Sequence, residues 1–86
     1  MKRLLHWSYK MNIRVVLTGP LSKYGSGQHE LIMEIEQEST VGDLLKKLGI
    51  PEQSYSFVSI AGVKVGEDRK VEVGEMMTIF PPVAGG

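Results

Sequence analysis

The sequence predicts an α+β domain, with a mixed sheet of four to five strands and one main helix packed on one face. Three observations predict it: a pair of alternating apolar segments joined by a loop, one short amphipathic segment, and further short alternating segments behind it. A chain of 86 residues forms one small domain, which needs a compact topology to be stable alone.

The first two strands are predicted from period-two alternation. The first strand has its apolar residues at Ile13, Val15 and Leu17. The second covers Glu30–Glu36, in which apolar residues alternate with glutamates. Residues 18–29 are polar and contain glycines, so they predict a loop. We therefore expect an antiparallel hairpin.

A short helix follows this hairpin. Thr40 is a favourable N-cap, and Asp43 three residues later completes a capping box. The apolar stripe consists of Val41, Leu44, Leu45 and Leu48. Gly49 predicts a left-handed end. We expect a helix of about two turns that is stable because the sheet covers its stripe.

Three further strands complete the predicted domain: residues 55–60, Val63–Val65 after an Ala61-Gly62 turn, and Met76–Phe80. Val58 and Ile60 are expected to face inward, although Tyr55 and Phe57 compete for that face. The order β-β-α-β-β-β is typical of the β-grasp fold of ubiquitin-like domains, in which the last strand lies parallel to the first at the sheet centre. The pattern alone also permits other α+β orders.

Composition excludes several classes of function. Ten basic residues balance ten acidic ones, which argues against a nucleic-acid-binding protein. The absence of cysteine excludes disulfides, cysteine zinc sites and a cysteine nucleophile within this chain. The basic N-terminus lacks the apolar segment of a signal peptide, and no apolar run approaches membrane-spanning length. We expect a cytoplasmic protein that binds neither nucleic acid nor membrane.

Three regions are predicted. Residues 1–11 are interpreted as an N-terminal extension, disordered or loosely docked, and Met11 is a candidate second start. Residues 12–80 form the β-grasp domain. Residues 81–86 form an extended C-terminal tail.

Motifs of enzyme active sites are incomplete. The glycine-bearing segment KYGSG at 23–27 lacks the Gly-Lys-Ser/Thr of a phosphate-binding loop, and HELIM at 29–33 lacks the second histidine of a zinc protease. No Gly-x-Ser-x-Gly nucleophile motif is present. We expect no self-contained active site, no metal and no bound cofactor.

The C-terminal sequence FPPVAGG, residues 80–86, is the most specific segment. Two prolines end the strand and direct the chain outward, because proline fixes φ and has no N–H. Residues 81–86 would span roughly 20 Å if extended. Two terminal glycines have no Cβ and can enter a narrow tunnel. The tail is either a frayed end or the carrier of a reactive carboxylate.

This ending resembles that of the MoaD/ThiS family of ubiquitin-like sulfur carriers, and in particular the small subunit of molybdopterin synthase. The segment VGEMMTIF at 73–80 is similar to the family's last turn and strand, SIAG at 59–62 to its Val-Asn-Gly turn, and TVGDLL at 40–45 to its helix start. The resemblance covers about residues 12–86.

The resemblance implies a role for each tail residue. Gly86 would be adenylated and converted to a thiocarboxylate by a ThiF/MoeB-like enzyme, which consumes the ATP. The residues inside that enzyme's tunnel would be Val83, Ala84 and Gly85. Phe80, Pro81 and Pro82 would contact the same enzyme and a MoaE-like large subunit. The chain would then be a non-catalytic subunit that donates sulfur in molybdopterin synthesis. The alternatives are a ThiS-like carrier for thiamine or tRNA thiolation, or a covalent protein modifier.

Overall fold

A computed structural model describes residues 10–83. These residues contain five strands, one α-helix and two short 3-10 helices. The strands and the α-helix are β1 (Lys10–Leu17), β2 (Glu30–Glu36), α1 (Val41–Leu48), β3 (Phe57–Ile60), β4 (Val63–Val65) and β5 (Met76–Phe80). Within this range, no helix is long and apolar enough to cross a membrane.

The five strands form one mixed sheet in the order β2-β1-β5-β3-β4. β1 and β2 are antiparallel, with Ile13 opposite Met33. β5 lies between β1 and β3, parallel to the former and antiparallel to the latter. The predicted hairpin and the predicted central, parallel last strand are both confirmed.

Helix α1 covers one face of the sheet, and the core lies between them. The capping box is formed as predicted: the Thr40 hydroxyl accepts from the Asp43 N–H, and the Asp43 carboxylate accepts from the Thr40 N–H at 2.9 Å. Gly49 ends the helix at φ 78°. The buried apolar core comprises Ile13, Val15, Leu17, Leu21, Met33, Ile35, Val41, Leu44, Leu45, Ile50, Val58, Ile60, Val71, Met77 and Ile79. The face opposite α1 is called the outer face below.

The loop predicted for residues 18–29 is wrong in part, because Gly19–Gly25 forms a 3-10 helix. Its Leu21 is buried in the core. Gly25 packs so closely that a Cβ there would lie 2.7 Å from Leu17 Cδ1. A single buried leucine in a polar segment produces no periodicity, so the sequence pattern could not reveal this helix.

β1 begins earlier than the sequence pattern indicates. Lys10 and Met11, which the sequence pattern places in the N-terminal extension, pair with Glu36 and Ile35. Met11 also packs against the core. Residues 1–9 lie outside the described residues, so the extension itself remains a prediction.

β3 begins at Phe57 rather than Tyr55: Glu52–Ser54 forms a 3-10 helix, and Tyr55 and Ser56 connect it to the strand. Val58 and Ile60 are buried, as predicted. Phe57 alternates with them along the strand, so its side chain lies on the outer face, where it is half-buried.

The turn between β3 and β4 places an alanine in the left-handed region. Ala61 has φ 54° and Gly62 has φ 79°. A two-residue hairpin with positive φ at both positions has type I′ geometry, which suits the twist of the strands. Glycine adopts this conformation freely, whereas the Cβ of Ala61 makes it costly.

Candidate functional site at the root of the C-terminal tail

β5 connects the centre of the sheet to the tail. Met77 and Ile79 point into the core and are fully buried. Their burial fixes which residues of β5 face the core and which face outward. Phe80 has the opposite parity and lies half-buried on the outer face. The next residues leave the sheet, and Val83 is 88% exposed. We call Phe80, Pro81 and Pro82 the tail root.

An aromatic pair forms the platform from which the tail departs. Phe57 and Phe80 are directly opposite each other on β3 and β5. Their ring centroids are 4.4 Å apart and the rings are inclined by 14°, a stacked arrangement. On β4, the Lys64 ammonium lies 5.4 Å from the Phe57 ring centroid, within cation–π range. The tail root therefore combines apolar area with one positive charge.

Side-chain hydroxyls bond the last carbonyls on both flanks of β5. Thr18 donates from its N–H and its Oγ1 to Ile79 O, at 3.2 and 2.9 Å. On the other flank, the Ser56 N–H donates to Phe80 O at 2.8 Å, and the Ser56 Oγ donates to Pro81 O at 2.9 Å. The end of β5 is thus bonded on both flanks, and Ser56 bonds the tail root itself.

Tyr55 anchors the segment that supplies Ser56. Its hydroxyl donates a hydrogen bond to the Glu67 carboxylate. Burial, with a further contribution from Glu67, raises the pKa of Tyr55 to about 12. A phenol is protonated at neutral pH in any case, and the raised pKa keeps it a donor to more alkaline pH.

Within residues 10–83, the outer face continues from the tail root as a solvent-exposed surface with both apolar and charged side chains. Ile32 and Met76 are 60% and 44% exposed and flank Arg14, which pairs with both in the sheet. Arg14 Nε lies 3.1 Å from a Glu30 carboxylate oxygen. Exposed apolar side chains beside fixed charges are typical of protein-binding surfaces.

The structure describes four of the predicted site residues. They follow one another from the end of the central strand β5 into solvent: Phe80, Pro81, Pro82 and Val83. The other predicted site residues, Ala84, Gly85 and Gly86, lie outside the described residues. Sequence reasoning missed the contributions of Ser56 and Phe57, since they reach the tail root only through the β3–β5 register. The opposite parity of Phe57 and Val58 was the one signal that could have placed Phe57 on the outer face.

The sequence also matches a family profile. The profile described as Mut7-C ubiquitin matches residues 23–85, which is most of the domain and reaches into the tail. This chain belongs to the Mut7-C ubiquitin family. Among curated proteins, none matches the sequence significantly.

Solved structures place this member of the Mut7-C ubiquitin family among ubiquitin-like proteins. SAMP1, small archaeal modifier protein 1 of Haloferax volcanii, is 20% identical with a TM-score of 0.71, covering 87% of this chain and 99% of its own. A Pyrococcus furiosus protein provisionally named molybdopterin converting factor, subunit 1, is 20% identical with a TM-score of 0.69, covering 85% of this chain and 99% of its own.

A third structure is a complex of subunits 1 and 2 of the molybdopterin-converting factor from Helicobacter pylori. The matching chain is 16% identical with a TM-score of 0.59. The match covers 88% of this chain and 100% of that one. At these identities the likeness establishes the fold. The predicted β-grasp fold is confirmed, and so is the predicted resemblance to ubiquitin-like proteins of the MoaD/ThiS kind.

Proposed function

We propose that this protein is a sulfur carrier whose C-terminal carboxylate, on Gly86, is activated by a partner enzyme and converted to a thiocarboxylate. The observation that supports the proposal best is the departure of the central strand β5 into an exposed, proline-stiffened tail. The residues that follow Val83 are Ala84, Gly85 and Gly86, which carry a methyl group or no side chain. The domain then acts as a rigid handle that presents its end to an enzyme.

The proposed chemistry needs no catalytic group in this chain. A carboxylate is a poor electrophile, so the Gly86 oxygen first attacks the α-phosphorus of ATP and pyrophosphate leaves. A persulfide on the partner then attacks the acyl carbon, and AMP leaves. A thiol cleaves the resulting sulfur–sulfur bond, is itself oxidised to a disulfide, and releases the thiocarboxylate. ATP, persulfide and thiol all belong to a ThiF/MoeB-like partner in the cytoplasm.

The tail root and the outer face supply the binding surface in this account. Phe80 and Phe57 offer a flat apolar platform beside Lys64, and Pro81 and Pro82 give the partner a stiff segment to hold. Val83, Ala84 and Gly85 would then lie inside the partner's tunnel, so that binding energy from the domain positions a small end group.

We further propose that the sulfur is delivered in molybdopterin synthesis, with a MoaE-like large subunit as the second partner. The similarity to a subunit of a two-subunit molybdopterin-converting factor favours this destination. A second candidate, covalent attachment of Gly86 to lysines of other proteins, is favoured by the similarity to SAMP1. ThiS-like carriage for thiamine or tRNA thiolation uses the same activated tail.

Reconstitution separates these destinations. The thiocarboxylated protein is mixed with a MoaE-like subunit and precursor Z, and the dithiolene product is measured. Formation of molybdopterin, with the carrier returned to its carboxylate form, is expected. If the protein acquires sulfur but no molybdopterin forms, the sulfur acceptor would instead be a thiamine precursor or tRNA. Conjugates on lysines in host lysate would identify a modifier.

A further inference from the structure

Among residues 10–83, one side-chain hydrogen bond holds the first residue of the tail to the domain. Regular pairing between β3 and β5 ends at Phe57 and Phe80. Pro81 has no N–H, so its carbonyl is the only backbone group it can offer for a hydrogen bond. That carbonyl accepts from Ser56 Oγ at 2.9 Å, and the same hydroxyl lies at the longer distance of 3.4 Å from Phe80 O. Ser56 thereby extends the attachment of the chain one residue beyond the sheet.

The position of Ser56 is itself fixed. Its N–H donates to Phe80 O at 2.8 Å, which sets the main chain beside the tail root. Tyr55, the preceding residue, is bonded to Glu67. On the opposite side the Pro81 ring lies against Gly19, where an added Cβ would meet Pro81 Cγ at 3.6 Å. The Ser56 hydroxyl therefore donates to Pro81 from a segment that its own hydrogen bonds hold in place.

The bond from Ser56 acts on the ψ rotation of Pro81, which the next proline narrows to extended values without locking. The rings of Pro81 and Pro82 fix φ at both positions. Phe80 and Pro81 each precede a proline, which restricts both to extended conformations. The ψ rotation of Pro81 turns the peptide plane that contains Pro81 O. Fixing that oxygen therefore fixes the direction of the chain as far as Pro82.

We propose that Ser56 is a positioning residue that sets the direction in which the tail leaves the domain. An end group held in one direction loses less conformational freedom when an enzyme binds it. The inference about activation rests on the proposed function, whereas the inference about tail direction concerns the isolated protein.

Thr18 provides a matched control. Its hydroxyl also donates to a β5 carbonyl, but that carbonyl belongs to Ile79, within the sheet. Ile79 O additionally accepts from the Thr18 N–H. Thr18→Val therefore removes a hydroxyl of the same kind without releasing the tail.

The first test measures the order parameter of the Pro82 Cα–H bond, whose direction the ψ of Pro81 sets, by ¹³C relaxation in the free protein. We expect Ser56→Ala to lower it toward values typical of flexible backbone, below about 0.6. Ser56→Thr, which keeps the hydroxyl, and Thr18→Val should match the wild type. An unchanged order parameter in Ser56→Ala would overturn the proposal.

The second test measures activation kinetics with a ThiF/MoeB-like enzyme. Ser56→Ala should raise KM about threefold to tenfold and leave kcat unchanged, because one hydrogen bond of modest net value is lost before chemistry begins. Ser56→Thr should restore KM. A fall in kcat at constant KM, or failure of Ser56→Thr to restore KM, would contradict a positioning role. If the wild type is not activated at all, the proposed function fails, and the order parameters still decide the tail's direction.

Discussion

Phe57 and Phe80 stack face to face across β3 and β5, with ring centroids 4.4 Å apart, at the point where the chain leaves the sheet. Buried neighbours of both residues, Val58 and Ile79, lock the two strands from the other face. The pair thus joins the folding core to the candidate functional end of the molecule.

The aromatic stack should contribute measurable coupling energy. In a double-mutant cycle with Phe57→Ala and Phe80→Ala, we expect a coupling of about 0.5–1.5 kcal/mol, the usual value for an aromatic pair beyond its area of burial. Urea denaturation of the four proteins measures it. Additive effects of the two substitutions would show that the rings contribute only by separate burial.

Tail and core should respond oppositely to substitution. Gly85→Val or Gly86→Ala should abolish ATP–pyrophosphate exchange with the activating enzyme and leave Tm nearly unchanged, because a side chain there obstructs a narrow tunnel. Leu45, 3% exposed, lies in the core, so Leu45→Ala should cost about 2–5 kcal/mol of unfolding free energy. A tail variant that unfolds the domain would count against the proposed separation of handle and tail.

The β3–β4 turn offers a route to higher stability. Ala61 occupies the left-handed region at φ 54°, where asparagine is better tolerated. Ala61→Asn should raise the free energy of unfolding by about 0.5–1 kcal/mol. Gly62→Ala, at φ 79°, is the opposite change and should lower it by about 1 kcal/mol. Thermal melts of both variants check the prediction, and a destabilised Ala61→Asn would show that the turn tolerates alanine without strain.

Acid should destabilise the fold. Arg69 donates two hydrogen bonds to Glu75, at 2.7 and 3.0 Å, and holds the pKa of Glu75 below its ordinary 4.5. The Thr40 N–H holds the pKa of Asp43 below its ordinary 3.8. Both carboxylates therefore bind protons more readily in the unfolded chain, and their contribution is complete above pH 4.5.

That contribution is lost as pH falls below these ordinary values and through the lower pKa values of the folded state. Urea midpoints across the acid range measure the loss. Glu75→Gln should start from a lower stability at neutral pH and lose less on acidification. Equal acid losses in the wild type and Glu75→Gln would exclude the Arg69–Glu75 pair as a source of the pH dependence.

The sequence allowed prediction of those elements whose signals are local. The capping box of Thr40 and Asp43, and the alternation that defines β1, β2 and β5, are each contained within a few neighbouring residues. The central place of β5 followed from the element order. The buried Leu21 in the first 3-10 helix had no comparable local signal.

Only the part of the candidate site that is contiguous in sequence could be predicted. Residues 80–86 are contiguous, so the tail and its prolines were recognisable in sequence. Ser56 and Phe57 reach the tail root through the β3–β5 register, and Thr18 reaches Ile79 beside the parallel β1–β5 pairing. No sequence spacing encodes those contacts. Hydroxyls that serve as hydrogen-bond donors to carbonyls also look like ordinary surface serines and threonines until the sheet is assembled.

The most direct test of the central claim is the intact mass of the purified protein after incubation with its ThiF/MoeB-like enzyme, ATP and a sulfur donor. The account predicts a mass change equal to one oxygen replaced by sulfur, located to Gly86 by fragmentation and absent without ATP. An unchanged mass with an enzyme that is active on another carrier would contradict the claim that this tail carries sulfur.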